Sequence, residues 1–179
     1  MKIGIDIDGV ISDFVTSFRV VVKERYGIEF GYEDIREHDL YKVLGISEKE
    51  ALELIIATFD YDINTQPDAV DCIKKLKKNH EIIIVTARPK ITEEITKKWL
   101  KEKGIAYDKL IFITEGNKHQ AVNEGFDVII DDHLKEIIRW FEKVPLVLIY
   151  NHPWNKSLNI KNNFERVFNW KNILERLDK

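Results

Sequence analysis

The sequence predicts an α/β protein built on a doubly wound parallel sheet. Five short apolar segments have the composition of strands, and several are unbroken runs of Ile, Val and Leu, which is typical of parallel strands covered on both faces. Helical patterns separate the later segments from one another, and strands that alternate with helices indicate a doubly wound domain. The predicted strands cover residues 2–6, 81–86, 110–114, 127–130 and 146–150.

Helices are predicted beside these strands wherever apolar residues recur at helical spacing. Gly104 and Gly125 stand where two of the helices should end, because glycine readily adopts the left-handed conformation found just past a helix. Asn169 is the predicted N-cap of the last helix. These helices cover residues 68–79, 92–103, 118–124, 133–141 and 170–177.

A long interval interrupts the alternation. About seventy residues separate the first predicted strand from the second, which is far more than a single crossover needs. Two helices are predicted there, over residues 14–26 and 48–59, and Ser47 is a suitable N-cap for the second. We therefore expect residues 14–66 to form a small helical cap, inserted after the first strand of a core made of residues 1–13 and 67–179.

Composition narrows the classes of function. The chain has 179 residues, of which 44% are hydrophobic, so one buried core is expected. Its net charge is −3, and acidic and basic residues are interspersed. We expect no binding to a nucleic-acid polymer, because no basic stripe is visible. The N-terminal apolar run is broken at Asp6, too early for a signal peptide or a membrane span. Cys72 is the single cysteine. A cytoplasmic protein without a membrane partner is expected, and a homodimer is one alternative for its oligomeric state.

The first strand ends in two carboxylates. Asp6 and Asp8 point the same way at the two-residue period of a strand, and Gly9 allows a sharp turn directly after them. Two like charges held this close need a cation between them or a shared proton. A compact, oxygen-rich, negative site favours Mg²⁺. The alternative is an acidic strand end that is merely solvated.

Other polar residues follow the later strands at the same edge of the sheet, where open α/β sheets bind their ligands. Thr86 closes the second strand, Lys118 follows the third, and Asp131 and Asp132 close the fourth. Taken singly, the threonine can bond local backbone, the lysine can be solvated, and either aspartate can cap the next helix. Their convergence on one place predicts a reactive site.

This order of motifs resembles the haloacid dehalogenase-like (HAD) phosphatase superfamily, whose motifs are DxD, Thr or Ser, Lys and an acidic pair. The likeness covers residues 1–13 and 67–150 and implies a Rossmann-like core. Residues 5–14 further resemble the 5′(3′)-deoxyribonucleotidases and their bacterial nucleotidase relatives. Residues 76–89, which lead up to and past Thr86, also resemble the bacterial members. The chain departs from the animal enzymes in having Ala87-Arg88-Pro89 where they carry Ser-Pro after the threonine.

The resemblance implies a phosphomonoester hydrolase. Asp6 would attack the phosphate to form an aspartyl-phosphate, and Asp8 would act as general acid and then as general base. Thr86 and Lys118 would contact the other phosphoryl oxygens.

The resemblance also implies the metal site. Mg²⁺ would be held by the Asp6 carboxylate, by the Asp8 backbone carbonyl and by Asp132, with Asp131 close behind. The neighbouring aspartates leave open which of the two is the direct ligand.

The substrate is expected to be a small phosphomonoester, in the first place a (deoxy)ribonucleoside monophosphate cleaved by a 5′-nucleotidase. The predicted cap is rich in aromatic residues that could stack a base, and Phe14 and Phe18 are the best placed. Arg88 and Asn151 are further candidates for substrate contact. The alternatives are that the rings fill the core of the cap, that the substrate is a sugar phosphate, or that the chain is a receiver-like or non-catalytic nucleotide-binding protein.

Overall fold

The computed structural model describes residues 1–37, 39–158 and 163–178. Within them, six strands form a single sheet in the order β3-β2-β1-β4-β5-β6, and every neighbouring pair is parallel. The strands are β1 Lys2–Ile5, β2 Glu81–Thr86, β3 Lys109–Phe112, β4 Val128–Asp131, β5 Leu146–Tyr150 and β6 Phe164–Val167. The predicted doubly wound parallel sheet is confirmed.

Helices cover both faces of this sheet. The α-helices are α1 Phe14–Tyr26, α2 Leu40–Leu44, α3 Glu48–Thr58, α4 Ala69–Leu76, α5 Glu93–Glu102, α6 Leu134–Arg139 and α7 Trp170–Leu177. Short 3-10 helices cover Tyr32–Asp34, Lys90–Thr92, Lys118–Glu124 and Pro153–Asn155. Ser47 and Asn169 cap α3 and α7 as predicted, each accepting a backbone N–H with its side chain. In the part of the chain that is described, no helix combines the length and the apolar content needed to cross a bilayer.

Alternate strand residues supply two apolar layers. Ile82 and Ile84 belong to the layer that includes α1, α4 and α7, whereas Ile83 and Val85 belong to the layer that includes α6. Each central strand is therefore buried on both sides, which explains its continuous apolar sequence.

Helices α1, α2 and α3 lie between β1 and β2 in sequence, in the region where the cap is expected. The apolar layer that contains α1 and α3 is continuous with one face of the sheet. Trp99 of α5 fixes this region further, since its Nε1 donates to the carbonyl of Ile63 at 2.8 Å. Helices are present as expected, and the division of the chain into 14–66 and the remainder stays a prediction.

The central position of β1 sets the place of the site. Ile5 pairs with Ile84 of β2 on one side and with Ile130 of β4 on the other. The residues that follow these three strands therefore meet at one edge of the sheet. Asp6 continues the pairing by one residue, because its backbone N–H donates to the carbonyl of Ile130 at 3.0 Å.

Candidate active site

The turn after β1 is built around a glycine. Gly9 has a φ of +88°, which favours glycine over every other residue. A Cβ atom at this position would lie 2.3 Å from Oδ2 of Asp132. The missing side chain therefore lets the DxD turn approach the end of β4 closely.

Three buried carboxylates meet beside this turn. Asp6, Asp131 and Asp132 each place one oxygen so that the three atoms lie within 4.8 Å of one another. One oxygen of Asp132, Oδ2, accepts a hydrogen bond from the indole of Trp154 at 2.9 Å. The other, Oδ1, is buried and has no hydrogen-bond partner among the described residues. An all-oxygen site with an unsatisfied buried carboxylate oxygen fits a hard divalent cation such as Mg²⁺.

The ammonium group of Lys118 lies among these carboxylates. Its Nζ lies 2.9 Å from Oδ1 of Asp6 and 3.0 Å from Oδ2 of Asp131, and its side chain is 3% exposed. Glu136 positions the preceding backbone, since its carboxylate accepts the N–H of Gly116 and, at 3.1 Å, that of Lys118. The lysine is therefore fixed at the site and not solvated.

Burial perturbs the protonation of this cluster. It raises the pKa of Asp6 to about 7, with Asp131 adding to the rise and Lys118 opposing it. Burial, with the charges of Asp6 and Asp131, also raises the pKa of Asp132 well above its ordinary value. Burial alone would lower the pKa of Lys118, but the two carboxylates outweigh it and raise that pKa. With the three acids ionised, the cluster carries two uncompensated negative charges, which a divalent cation would neutralise.

Asp8 lies apart from this cluster and has its own partners. Ser12 donates to Oδ1 of Asp8 at 2.8 Å, and Arg88 donates to both carboxylate oxygens. Thr86 lies behind them, almost completely buried, and its Oγ1 accepts the backbone N–H of Arg88 at 3.2 Å. Thr86 does not line the cavity described next.

A cavity of about 410 Å³ opens above these groups. Its polar floor includes Asp6, Asp8, Lys118 and Asp132. The facing wall comes from the expected cap and is largely apolar, with Phe14, Val15, Ile35, Leu40, Tyr41, Ala51, Leu52, Ile55 and Phe59, and it also includes the charged residues Asp39 and Glu48. The arrangement can hold a charged group against the floor and an apolar group against the wall.

The structure places two of the predicted substrate contacts, Phe18 and Asn151, away from the cavity lining. Phe14 lines the cavity, but Phe18 is completely buried, with its ring centroid 5.7 Å from that of Phe14. Phe18 therefore supports Phe14 from behind and has no face left for a ligand. Asn151 does not line the cavity, and its Oδ1 accepts a hydrogen bond from Arg166 at 3.1 Å. Arg88 does line it, but its guanidinium is engaged by Asp8.

Sequence reasoning missed the aromatic group that supports the site. His152 stacks on Trp154 with centroids 4.3 Å apart, accepts the hydroxyl of Tyr32 on Nδ1, and lies with Nε2 2.6 Å from the carbonyl of Gly9. Burial lowers the pKa of His152 to about 4, so the ring is neutral at pH 7 and donates from Nε2. The available signal was the position of residues 151–155, directly after β5 at the reactive edge of the sheet.

An all-parallel α/β fold with carboxylates at the ends of two central strands, β1 and β4, and a buried lysine between them defines a haloacid dehalogenase-like hydrolase. Solved structures agree on the fold. A haloacid dehalogenase-like hydrolase from Streptococcus pneumoniae superposes with a TM-score of 0.72 at 16% identity, covering 98% of this chain and 97% of that one. A "putative HAD-hydrolase" from Bacillus subtilis, solved with bound magnesium, gives 0.68 at 14% identity over 99% and 98%.

Residues 1–177 match the family described as 5′ nucleotidase, deoxy (Pyrimidine), cytosolic type C protein, and the chain belongs to that family. A Bacillus subtilis protein named "Putative nucleotidase" is 28% identical over 175 residues, covering 95% of this chain and 90% of the relative. A nucleotidase from Clostridium acetobutylicum is 24% identical over 191 residues, covering 100% and 94%. The chain is thus an enzyme of the phosphatase and nucleotidase type, as its motifs predict.

Proposed function

We propose that this enzyme is a Mg²⁺-dependent 5′-nucleotidase that hydrolyses (deoxy)ribonucleoside monophosphates through an aspartyl-phosphate on Asp6. The observation that carries the proposal is the buried cluster of Asp6, Asp131, Asp132 and Lys118, three of which line a cavity whose facing wall is largely apolar. Family membership and the names of the relatives support the same reaction. A cytoplasmic location agrees with the family description.

The metal would be held by Asp6, Asp131 and Asp132. The unsatisfied Oδ1 of Asp132 supports this assignment. The Bacillus subtilis HAD-hydrolase of similar fold was solved with magnesium bound. A bound divalent cation supplies positive charge that lowers the repulsion between a carboxylate nucleophile and a phosphate. The same charge would keep Asp6 ionised at neutral pH, where its burial otherwise favours the protonated form.

The first chemical step is assigned to Asp6 and Asp8. A carboxylate oxygen of Asp6 attacks phosphorus in line with the leaving oxygen, and the bond between phosphorus and that oxygen breaks. The electron pair of the broken bond goes to the leaving oxygen, which takes a proton from Asp8. Lys118 contacts a phosphoryl oxygen and balances the charge that develops there.

The second step returns the enzyme to its starting state. Asp8, now a carboxylate, accepts a proton from a water molecule, and the oxygen of that water attacks phosphorus. The bond from phosphorus to Asp6 breaks and inorganic phosphate is released. Two easier steps thus replace one difficult hydrolysis.

Substrate preference is assigned to the apolar wall. Phe14 lies on the cavity and could present its ring to a base, a contact worth about 1–3 kcal/mol in single-strand recognition. A sugar phosphate has no comparable apolar group. The geometry therefore favours a nucleoside over a sugar as the leaving alcohol.

The test is phosphate release from a panel of nucleoside 5′- and 3′-monophosphates, sugar phosphates and p-nitrophenyl phosphate, each with Mg²⁺ and with EDTA. Mg²⁺-dependent turnover fastest on a nucleoside 5′-monophosphate is the expected result. Turnover confined to sugar phosphates would keep the mechanism and reject the substrate. Turnover that persists in EDTA, or its absence on every substrate, would reject the proposal.

A single substitution tests the nucleophile. Asp6→Asn keeps the size of the side chain and removes its nucleophilic oxygen charge, so turnover should fall below detection on every substrate. Retention of a tenth of the wild-type activity would exclude Asp6 as the nucleophile.

A further inference from the structure

Arg88 crosses from the end of β2 to the turn that follows β1. Its Nε donates to Oδ2 of Asp8 at 2.8 Å and its Nη2 donates to Oδ1 at 2.7 Å. These are two nearly parallel bonds from one planar fork to one carboxylate, the geometry that fixes both the position and the plane of the acid. A lysine at this position could hold the charge but not the plane.

The guanidinium is itself held on its other sides. Its central carbon lies 4.3 Å from the ring centroid of Phe59 and 5.4 Å from that of Trp99. Nη1 lies 3.3 Å from the hydroxyl of Thr96 on α5. The side chain is only 2% exposed, whereas that of Asp8 is 26% exposed. Of the two partners, Arg88 is therefore the more deeply buried.

We propose that Arg88 is a positioning residue for Asp8 and not a substrate contact. The assignment rests on the proposed function, in which Asp8 gives a proton to the leaving oxygen and later takes one from water. Both transfers need one carboxylate oxygen to be within hydrogen-bond reach of a defined point in the cavity. The bidentate bond, with Ser12 as a third partner on Oδ1, restricts the rotation of Asp8 so that this oxygen stays aimed at that point.

The proposal makes a specific statement about leaving groups. The alcohol of a nucleoside monophosphate is a poor leaving group and needs the proton from Asp8, whereas p-nitrophenolate leaves readily without one. The value of kcat/KM contains only the steps up to departure of the leaving group. Loss of Arg88 should therefore lower kcat/KM much more for the alkyl ester than for the aryl ester.

The experiment compares wild type with Arg88→Met and Arg88→Lys on deoxyuridine 5′-monophosphate and on p-nitrophenyl phosphate, with Mg²⁺ present. For Arg88→Met we expect kcat/KM to fall at least about 100-fold on the nucleotide, the low end for loss of general acid catalysis, and less than about 10-fold on the aryl ester. Arg88→Lys should recover part of the nucleotide activity. Asp8→Asn should show the same selectivity, and the double variant Asp8→Asn/Arg88→Met should be no slower than Asp8→Asn alone.

Lys135→Met is the matched control. Lys135 also brings a cationic side chain to the cavity, but its carboxylate partner is Asp39, at 2.9 Å. Its effect on kcat/KM should be the same for both substrates. The Mg²⁺-induced rise in Tm, which reports an intact carboxylate cluster, should survive in Arg88→Met and shows that the variant is folded.

Two results would overturn the inference while leaving the proposed function in place. One is an equal loss of kcat/KM on both substrates in Arg88→Met with the Mg²⁺-induced rise in Tm retained. The other is a double variant whose loss of kcat/KM equals the product of the losses in the two single variants, which would mean that Arg88 acts apart from Asp8. An inactive wild-type enzyme would instead reject the proposed function, so the two failures are distinguishable.

Discussion

Replacing Lys118 by methionine removes an ammonium group from between two buried carboxylates and keeps most of the side-chain volume. The ammonium lies 2.9 Å from Asp6 and 3.0 Å from Asp131, and all three side chains are less than a tenth exposed. Water cannot easily replace the lost contacts. The substitution therefore tests how much the electrostatic balance of the site contributes to stability.

The expected loss is about 3–5 kcal/mol in the free energy of unfolding, the usual cost of leaving a buried charge without its partner. The loss should depend on pH. Burial raises the pKa of Asp6 to about 7 even beside Lys118, and without the lysine it should rise further. A raised pKa in the folded state means that folding is favoured when the proton is bound, so the stability deficit of the variant should shrink as the pH falls from 8 to 6.

The assay is urea denaturation followed by tryptophan fluorescence, in EDTA at pH 6 and pH 8, since the chain has four tryptophans. Adding Mg²⁺ should stabilise Lys118→Met more than wild type, because the divalent cation replaces part of the missing charge. Lys97→Met is the control for removing a lysine from an exposed ion pair, and no measurable change is expected there.

A deficit below about 1 kcal/mol at pH 8, or one that does not change with pH, would refute the reasoning. Either result would mean that water or a structural adjustment satisfies Asp6 and Asp131 without Lys118.

Three further predictions concern the supports of the site. Gly9→Ala should lose the Mg²⁺-induced rise in Tm, because its Cβ would lie 2.3 Å from Oδ2 of Asp132. The control is Gly27→Ala, which has a φ of +65° but open space around it and should lower stability without changing the Mg²⁺ response. An unchanged Mg²⁺ response in Gly9→Ala would contradict the prediction. Trp154→Phe keeps an aromatic side chain but removes the indole N–H that donates to Asp132, and the smaller ring leaves space unfilled. The free energy of unfolding in EDTA should therefore fall by at least about 1.5–3 kcal/mol, and a change within error would mean that the bond is dispensable. Burial lowers the pKa of His152 to about 4 from an ordinary 6.5, so the unfolded state binds more protons between these values and wild type should lose stability as the pH falls. His152→Gln should lose about 2 kcal/mol less than wild type between pH 7 and pH 5, and parallel losses in urea titrations would exclude the histidine as the source.

Much of the sheet is readable from the sequence because its central strands are buried on both faces. The missed strand, β6, lies at the edge, and its central residues are charged: Glu165 pairs with Arg176, and Arg166 reaches Asn155. An edge strand needs no continuous apolar run, so the criterion that found the central strands does not apply to it. Helix α2 was missed because its five residues are too short to show a helical period.

The acidic and cationic residues of the candidate site were predictable because parallel strands bring their carboxyl ends to one edge. The sequence did not predict which aromatic side chains of the expected cap reach the cavity. Phe14 and Phe18 share a helix face at i and i+4, and this spacing does not tell which ring reaches the cavity and which is covered. Arg88 was predicted as a substrate contact, and its pairing with Asp8 was not predicted, because the pair joins residues eighty positions apart and depends on packing that spacing does not reveal.

The two connections between the sheet and the helices after β1 are bonded to each other. Asp13 donates its backbone N–H to the carbonyl of Asn64 at 2.8 Å, and Gln66 donates to that of Ile11 at the same distance. About fifty residues therefore leave and rejoin the sheet at one point, so the loop they form is already closed where it meets β1. Insertions, deletions or exchange of that loop need not alter the register of β1, which carries Asp6 and Asp8 at its end. A new substrate range could thus evolve by replacing the wall of the cavity while the chemistry on its floor is inherited unchanged.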